Sequence, residues 1–331
     1  MTEAYLGIDV GSISTKGVIF SKDFKVITSA YHRTKGKPVE AIKGLMKALN
    51  NQIAATSASS ASSAVNQLKI LGVGTTGSAR RLAGVMVGAD IVKNEIIAHA
   101  LASSYYHPDV KTIIEIGGQD SKIIILRDSI PIDFAMNNVC AAGTGSFLEH
   151  QATRLGIPIE EFGHYALNAK KGVTIAGRCT VFAESDMVHK AQLGITTEDI
   201  IRGLCDAIVR NYLNTVAKGK DIKPLILFQG GVAANIGVKT AFERALEQPV
   251  TIPEHFLVMG AIGAAMLVQE YINDGKQTKF AGFETADIKF ITKAFECKDC
   301  PNNCEVIETF KEDIIIDRYG DRCGKWSEEI K

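Results

Sequence analysis

Two short stretches of this 331-residue chain repeat one arrangement of chemically active residue types. The first, "IDVGSISTK", begins at Ile8, and the second, "IEIGGQDSK", begins at Ile114. In each stretch a carboxylate stands two residues before a glycine, and a hydroxyl residue and a lysine end the stretch. Glycine lets the backbone approach a ligand closely, and successive amide N–H groups beside a hydroxyl form an anion-binding concavity. The two stretches therefore predict two turns that hold phosphate.

The first turn offers ligands for phosphate and for a magnesium ion. Asp9 would end its strand at the site, where a carboxylate can hold hydrated Mg²⁺. Lys16 is the candidate cation that meets phosphate. The other candidate phosphate ligands of this turn are Gly11, Ser12, Ser14 and Thr15. An ordinary Gly/Ser hairpin is the alternative for either turn alone, and the duplication favours a clamp around a nucleoside triphosphate.

The second turn adds groups suited to control hydrolysis. Gly117, Gly118 and Ser121 are its candidate phosphate ligands. Gln119 and Asp120 replace the hydroxyl residues of the first turn and are candidates to position the attacking water. Glu115 is a competing candidate for activating that water.

A third glycine turn, in "LILFQGGVAAN", follows a predicted strand and precedes a predicted helix. Gly230 and Gly231 leave room for a flat base or a ribose against the backbone. Because this turn follows two phosphate turns, we interpret both glycines and Asn235 as an adenosine site. The three turns together predict ATP or ADP with Mg²⁺ as ligands.

Two cysteines stand directly before predicted helical segments. Cys140 lies in "NNVCAAGTGSFLE" and Cys179 lies in "AGRCTVFAESDM". A helix N-terminus stabilises a thiolate through its dipole and unpaired N–H groups, which suits a nucleophile or an anionic metal cluster. The alternative is a buried apolar cysteine, which is the interpretation that we favour for Cys205. Gly143 and Gly145, in the turn after Cys140, complete the candidate nucleotide-binding residues.

A cysteine-rich segment near the C-terminus predicts a second metal site. Two, three and eighteen residues separate its members, which are Cys297, Cys300, Cys304 and Cys323. This spacing suits a tetrahedral thiolate site, either structural Zn²⁺ or a second [4Fe-4S] cluster, and a segment without metal is the remaining alternative. A metal would supply folding energy to a segment with little core of its own. The sequence "IIIDRYGDRCGKW" predicts a strand and a turn that return Cys323 to the other three.

Strands and helices must alternate to position these residues. Strands are predicted over 5–10, 16–21, 25–32, 69–74, 112–116, 121–127, 130–135 and 225–228, and helices over 39–54, 144–155, 181–193, 235–246 and 257–271. The order of three strands and a helix occurs twice, which predicts an α/β protein with two similar layered domains. Residues 56–64, "TSASSASSA", are predicted to be a flexible surface loop.

The composition argues against several classes of partner. The formal net charge is zero, so the sequence predicts no binding to nucleic acid or to anionic lipid. The most apolar run, 256–268, is too short to cross a bilayer, and no basic and apolar leader is recognisable. We therefore predict a cytoplasmic location, where metal or redox chemistry explains seven cysteines better than structural disulfides do.

The order "GIDVGSISTK", "EIGGQDSK" and "GGVAAN" resembles the actin, sugar kinase and Hsp70 superfamily of ATPases. With the two cysteine segments, the chain is similar to activators of 2-hydroxyacyl-CoA dehydratases, ATPase subunits of benzoyl-CoA reductase and reductases of double-cubane cluster proteins. The resemblance covers 5–271 and implies two ribonuclease H-like domains around ATP. Residues 1–108, completed by the helix 257–272, would form the first domain, residues 109–256 the second, and residues 273–331 a cysteine-rich extension.

The resemblance also implies cofactors and partners. In such activators, two cysteines from each subunit of a homodimer bind one [4Fe-4S] cluster, and Cys140 and Cys179 match those positions. It implies ATP-driven transfer of low-potential electrons from a donor such as ferredoxin or flavodoxin to a partner metalloenzyme, either a dehydratase or a double-cubane protein. A kinase that phosphorylates a sugar or a small acid is the alternative, and in a kinase both cysteines would have no function.

Overall fold

Two five-stranded sheets form the centres of two compact units, Met1–Glu95 with Gly260–Lys331, and Ile96–Met259. The computed structural model describes residues 2–59, 68–137, 140–272 and 275–327. Each sheet begins with a meander of three antiparallel strands, and the first strand of that meander pairs in parallel with a later strand. This arrangement confirms the predicted α/β class with two similar domains.

The first unit begins with β1 (Thr2–Val10), β2 (Ser14–Ser21), β3 (Val26–Arg33), α1 (Pro38–Ser59), β4 (Leu68–Thr76), α2 (Arg80–Val87) and β5 (Ile91–Val92). Its sheet has the strand order β3-β2-β1-β4-β5. Strand β1 is buried on both faces from Ala4 to Val10, which explains its nearly continuous apolar sequence. Leu6 of β1, Leu45 of α1 and Leu82 of α2 belong to one buried cluster.

The second unit contains α3 (Glu95–Tyr106), β6 (Thr112–Ile116), β7 (Ser121–Arg127), β8 (Ile130–Asn137), α4 (Gly145–Leu155), α5 (Ile159–Leu167), α6 (Thr180–Gln192), α7 (Thr197–Thr215), β9 (Ile226–Gln229), α8 (Ile236–Leu246) and β10 (Val250–Thr251). Its sheet has the order β10-β9-β6-β7-β8. Alternate residues of each strand face opposite sides, so Ile114 packs with the α7 cluster while Ile113 packs with Ile96 and Ala100 of α3. Residues 96–108, which the sequence analysis includes in the first domain, therefore lie in the second unit.

Helix α9 (Met259–Ile272) returns the chain to the first unit. A Cβ atom at Gly7 would lie 1.8 Å from the carbonyl oxygen of Ala261. Because glycine has no side chain, α9 can lie directly on β1 at this point.

The C-terminal extension forms an antiparallel sheet of β11 (Phe290–Glu296), β12 (Glu305–Lys311) and β13 (Ile314–Tyr319). Ala286 and Phe290 belong to the same buried cluster as the core of the first unit. Arg81 of α2 binds Asp317 of β13 through two hydrogen bonds of 3.0 Å. The extension is thus packed as part of the first unit.

The element boundaries differ from the predictions mainly at α1. Its last two turns are rich in alanine and contain no proline, which favours helix beyond the predicted 39–54. Residues 56–59 of the predicted loop are therefore helical, and residues 60–64 lie outside the described residues. The predicted strands 112–116 and 121–127 are confirmed at full length. Within the described ranges, every helix is too short or too polar to cross a membrane.

Candidate functional site

The first predicted phosphate turn connects β1 and β2, and a charged pair stands next to it. Asp9 and Lys16 lie opposite each other in the strand register, and both are buried. Lys16 Nζ lies 3.4 Å from Asp9 Oδ2. The hairpin therefore places the predicted magnesium ligand and the predicted phosphate ligand side by side.

The second predicted phosphate turn connects β6 and β7 and repeats this pairing with an additional carboxylate. Glu115 lies opposite Lys122, and Lys122 Nζ donates to Glu115 Oε2 at 2.9 Å and to Asp120 Oδ2 at 2.7 Å. Burial alone would lower the pKa of Lys122, but attraction to Glu115 and Asp120 outweighs burial and raises the pKa above its ordinary value. Lys122 therefore carries a fixed positive charge between two of the predicted catalytic carboxylates.

Lys122 is a site residue that the sequence analysis misses. Its signal is the spacing that both hairpins share, because Asp9 and Lys16 have the same separation as Glu115 and Lys122. Gln119, by contrast, is exposed at the turn. The structure thus joins Glu115 to Asp120 through one lysine and leaves Gln119 at the surface.

The hydroxyl residues of the first turn lie in different environments. Ser12 is exposed, Ser14 is buried, and Thr15 is fully buried. The Thr15 hydroxyl lies 3.0 Å from the Thr34 hydroxyl, which donates to the Gly11 carbonyl at 2.9 Å. Thr15 therefore supports the turn from inside the fold. Thr34 is a second supporting residue that the sequence analysis misses, because it follows β3 and lies outside the motif.

The second turn is bonded to the N-terminus of α4. Gly145 N–H donates to the Gly117 carbonyl at 2.8 Å, and Ser146 N–H donates to the Gly118 carbonyl at 2.9 Å. The Ser146 hydroxyl donates to the same Gly118 carbonyl at 2.5 Å. These bonds bring three predicted nucleotide-binding glycines together.

The third glycine turn lies against strand β6. Gly230 has a φ of +88°, and a Cβ atom there would lie 2.6 Å from Glu115 Oε1, so only glycine fits. A Cβ atom at Gly231, by contrast, would have no neighbouring atom within 4 Å in the part of the chain that the structure describes. Asn235 Oδ1 accepts a 3.1 Å hydrogen bond from Val238 N–H and caps α8. The buried Asn235 Nδ2 has no hydrogen-bond partner among the described residues.

Cys140 and Cys179, which are distant in sequence, lie on neighbouring loops. The Cys140 thiol lies 3.8 Å from the carbonyl oxygen of Arg178, the residue before Cys179. Cys179 is the N-cap residue of α6, and Cys140 precedes a short 3₁₀ turn, Ala141–Gly143, that leads into α4. Both side chains are partly exposed.

Two asparagines hold the cysteine loops. Asn137, at the end of β8, donates to the Cys140 carbonyl at 2.9 Å and accepts from Cys140 N–H at 3.0 Å. Asn211 of α7 donates to the Gly177 carbonyl at 2.6 Å, and its Oδ1 would lie 2.6 Å from a Cβ atom at Gly143. Gly143 therefore packs against Asn211. Neither asparagine is among the predicted site residues. Asn137 is close to Cys140 in the sequence, whereas Asn211 is far from both cysteines.

The four C-terminal cysteines lie around the turns of the three-stranded sheet. Cys297 is buried and Cys304 is partly buried, whereas Cys300 and Cys323 are exposed. Within the residues that the structure describes, no group of three or more His, Cys, Asp or Glu side chains is arranged to hold a metal ion. The predicted second metal site is therefore not preassembled.

Comparison with known proteins covers the region that contains the glycine turns and the first cysteine pair. The profile of the "BadF/BadG/BcrA/BcrD ATPase family" matches residues 6–268. The chain belongs to this ATPase family. Every candidate nucleotide-binding residue lies inside the matched range, as do Cys140 and Cys179, whereas the C-terminal cysteines lie beyond it.

Individual relatives are similar to the chain over most of its length. The (R)-2-hydroxyglutaryl-CoA dehydratase activating ATPase of Acidaminococcus fermentans is 30% identical over 285 residues, which cover 79% of this chain and 95% of that protein. Uncharacterized protein MJ0800 of Methanocaldococcus jannaschii is 29% identical over 270 residues, which cover 80% of this chain and 62% of that protein. The activator of the 2-hydroxyisocaproyl-CoA dehydratase from Clostridium difficile, solved with bound ADPNP, has a TM-score of 0.70 at 27% identity and covers 82% of this chain and 96% of its own. These similarities confirm the predicted resemblance to dehydratase activators.

Proposed function

We propose that this ATPase-family protein hydrolyses ATP to pass low-potential electrons to a partner metalloenzyme through a [4Fe-4S] cluster shared by two copies of the chain. The observation that carries the proposal is the approach of the Cys140 thiol to Arg178, beside Cys179. Two thiols on neighbouring loops provide half of the ligands that such a cluster needs. A small-molecule kinase would have no use for them.

The glycine turns supply the proposed ATP ligands. A relative of known structure was solved with bound ADPNP, which supports a nucleotide as the ligand. Asp9 is the proposed ligand of hydrated Mg²⁺, and Lys16 meets phosphate. The buried Asn235 Nδ2 is a donor that a ribose or base acceptor would satisfy. Glu115 is a carboxylate suited to orient the attacking water, because Lys122 fixes it in place.

Cys140 and Cys179 would each contribute one thiolate to the cluster, and a second copy would contribute the other two. When bound, the cluster supplies one-electron chemistry at low potential, which no amino-acid side chain offers. The loops fit this role because both thiols are partly exposed, while Asn137 and Asn211 hold the surrounding backbone.

Hydrogen bonds and short stretches of the chain together link the phosphate turn to Cys140 within the second unit. The Gly118 carbonyl accepts from Ser146 at the start of α4. Thr144, the residue before α4, donates from its hydroxyl to the Ala141 carbonyl at 2.8 Å and from its N–H at 3.1 Å. Ala141 directly follows Cys140. A shift of the turn on ATP hydrolysis would therefore be transmitted to Cys140 through the N-terminus of α4.

The start of α6 carries large apolar side chains beside Cys179. Val181, which is 65% exposed, and Phe182, which is 67% exposed, follow Cys179 within three residues. Exposed apolar groups next to a functional residue are typical of a protein contact. A second copy that shares the cluster would cover them.

We expect Phe182→Glu to weaken the association of two copies by at least about tenfold, because a carboxylate would be buried at the contact. Sedimentation of the anaerobically purified protein measures the association, and iron analysis should show a parallel loss. Leu193→Glu is the matched control, since Leu193 is 62% exposed at the other end of α6. A Phe182→Glu variant that dimerises and holds iron like the unchanged protein would contradict the proposed interface.

The proposed electron acceptor is a metalloenzyme of the 2-hydroxyacyl-CoA dehydratase type, because relatives are named for activating such enzymes. A double-cubane cluster protein is the other acceptor class that we propose. The upstream donor would be a ferredoxin or a flavodoxin, since each carries single electrons at low potential.

Anaerobic purification of the full chain tests the proposed function. We expect brown protein with about four iron atoms per two chains, and an electron paramagnetic resonance signal from the reduced cluster that changes when ATP is added. Reduction of a redox-dye acceptor should depend on ATP hydrolysis. A colourless protein that phosphorylates a small hydroxyl compound would instead establish the kinase alternative.

A further inference from the structure

The register of the C-terminal sheet places all four of its cysteines at one end. Glu296, the last residue of β11, pairs with Glu305, the first residue of β12, so Cys297 and Cys304 flank the turn between these strands. Cys300 lies within that turn. Tyr319 at the end of β13 pairs with Ile307, close to the same turn. The segment that contains Cys323 therefore leaves the sheet beside the other three cysteines.

Contacts between the two cysteine-bearing segments hold them together. The Cys297 N–H donates to the Cys304 carbonyl at 2.8 Å, which closes the 297–304 turn. Lys325 Nζ binds the carboxylate of Asp299 within that turn. The ring of Trp326 packs edge to face on Phe295, with centroids 5.0 Å apart. The chain after β13 is thus held against the turn by Lys325 and Trp326, which both follow Cys323.

The cysteine end of this sheet has little apolar core. At the opposite end, Phe290 is buried in the cluster of the first unit, and Ile316 packs against that cluster. Near the cysteines, Val306 is fully buried, but the adjoining turns are largely exposed. A small sheet end with few buried apolar groups requires another source of stability.

We propose that Cys297, Cys300, Cys304 and Cys323 bind one structural Zn²⁺ ion. Zinc takes four thiolates in tetrahedral geometry, and a C-x₂-C turn with a distant cysteine on a second turn is typical of such sites. Cys300 and Cys323 are exposed, so their thiols are accessible to a metal ion from solvent. The ion would join the turn between β11 and β12 to the segment after β13.

Metal analysis of the full-length protein, expressed with zinc present, tests the proposal. We expect about one zinc per chain, and a fall below roughly one tenth of that in Cys300→Ser/Cys323→Ser. Cys205→Ala is the matched control, because Cys205 is buried in α7 and has no part in the site. Binding of ADPNP by the double variant shows that the rest of the chain folds.

A second measurement uses the unchanged protein alone. Titration with a mercurial thiol reagent should release the zinc as the C-terminal thiols react, in addition to any reaction at the partly exposed Cys140 and Cys179. A zinc-binding dye follows the release. Absence of zinc from the unchanged protein would overturn the proposal, and so would retention of zinc by the double variant. Iron that remains bound in Cys140→Ser would also overturn it, because it would show that the C-terminal cysteines bind iron. The test is independent of the proposed electron transfer, because loss of the shared cluster would leave the zinc content unchanged.

Discussion

Cys140→Ser is expected to remove nearly all bound iron from the anaerobically purified protein while ATP binding persists. The unchanged protein should contain about two iron atoms per chain, because one cubane would be shared by two copies under the proposed function. Each copy would contribute one Cys140 thiolate, so the substitution removes two of the four ligands of a shared cluster. We therefore expect ATP-dependent electron transfer to fall at least about 100-fold. Cys179→Ser should give the same result, since its loop adjoins that of Cys140.

Cys205→Ala is the control for both cysteine variants. Burial raises the pKa of the Cys205 thiol to about 12, so this cysteine stays protonated at neutral pH and is unsuited to bind metal. Iron analysis and the electron paramagnetic resonance spectrum should therefore match those of the unchanged protein. Retention of the full iron content by Cys140→Ser would refute the ligand assignment, whatever the ATPase activity of the variant.

Lys122→Met is expected to destabilise the protein by roughly 3–5 kcal/mol, because it leaves Glu115 and Asp120 without their shared cation. Urea-induced unfolding measures the change in the free energy of unfolding. Lys220→Met is the matched control, since Lys220 pairs with the largely exposed Asp133 and should cost at most about 1 kcal/mol. Adding Glu115→Gln to Lys122→Met should recover part of the loss, because it removes one unpaired carboxylate.

The effect of Lys122→Met should be the same at pH 6 and pH 9. The folded-state pKa of Lys122 lies above its unfolded value. Its contribution to stability is therefore fully present below the ordinary lysine pKa of about 10.4 and is lost only as the pH rises through the folded-state pKa. A destabilisation that disappears at pH 9 would show that the lysine titrates in the neutral range and that the ion pairs are weaker than the structure indicates.

The sequence predicts the hairpins well because local and tertiary preferences agree there. Isoleucine-rich strands bounded by glycine turns favour the extended state, and β6 and β7 begin and end as predicted. The positions of Cys179 directly before α6 and of Cys140 near α4 also follow from local sequence preferences. The α1 boundary is wrong because the Ser/Ala-rich composition, interpreted as a loop, also favours helix.

The contacts that support the site come from residues outside the motifs. Asn211 reaches the cysteine loops from the C-terminal part of α7, and Thr34 reaches the first turn from just after β3, the strand next to β2. Only three-dimensional packing brings such residues together, so local sequence patterns do not reveal them. The inward orientation of Thr15 is another tertiary effect, because its motif position alone suits a phosphate ligand.

The packing of Ala286 and Phe290 in the first unit has a consequence for the lifetime of the protein in the cell. Cleavage after α9 would remove both side chains and leave apolar surface exposed at the core that they cover. A clipped chain would therefore become a target for quality-control proteases. Damage to the C-terminal extension would then lead to loss of the whole chain, so a shortened ATPase would not accumulate.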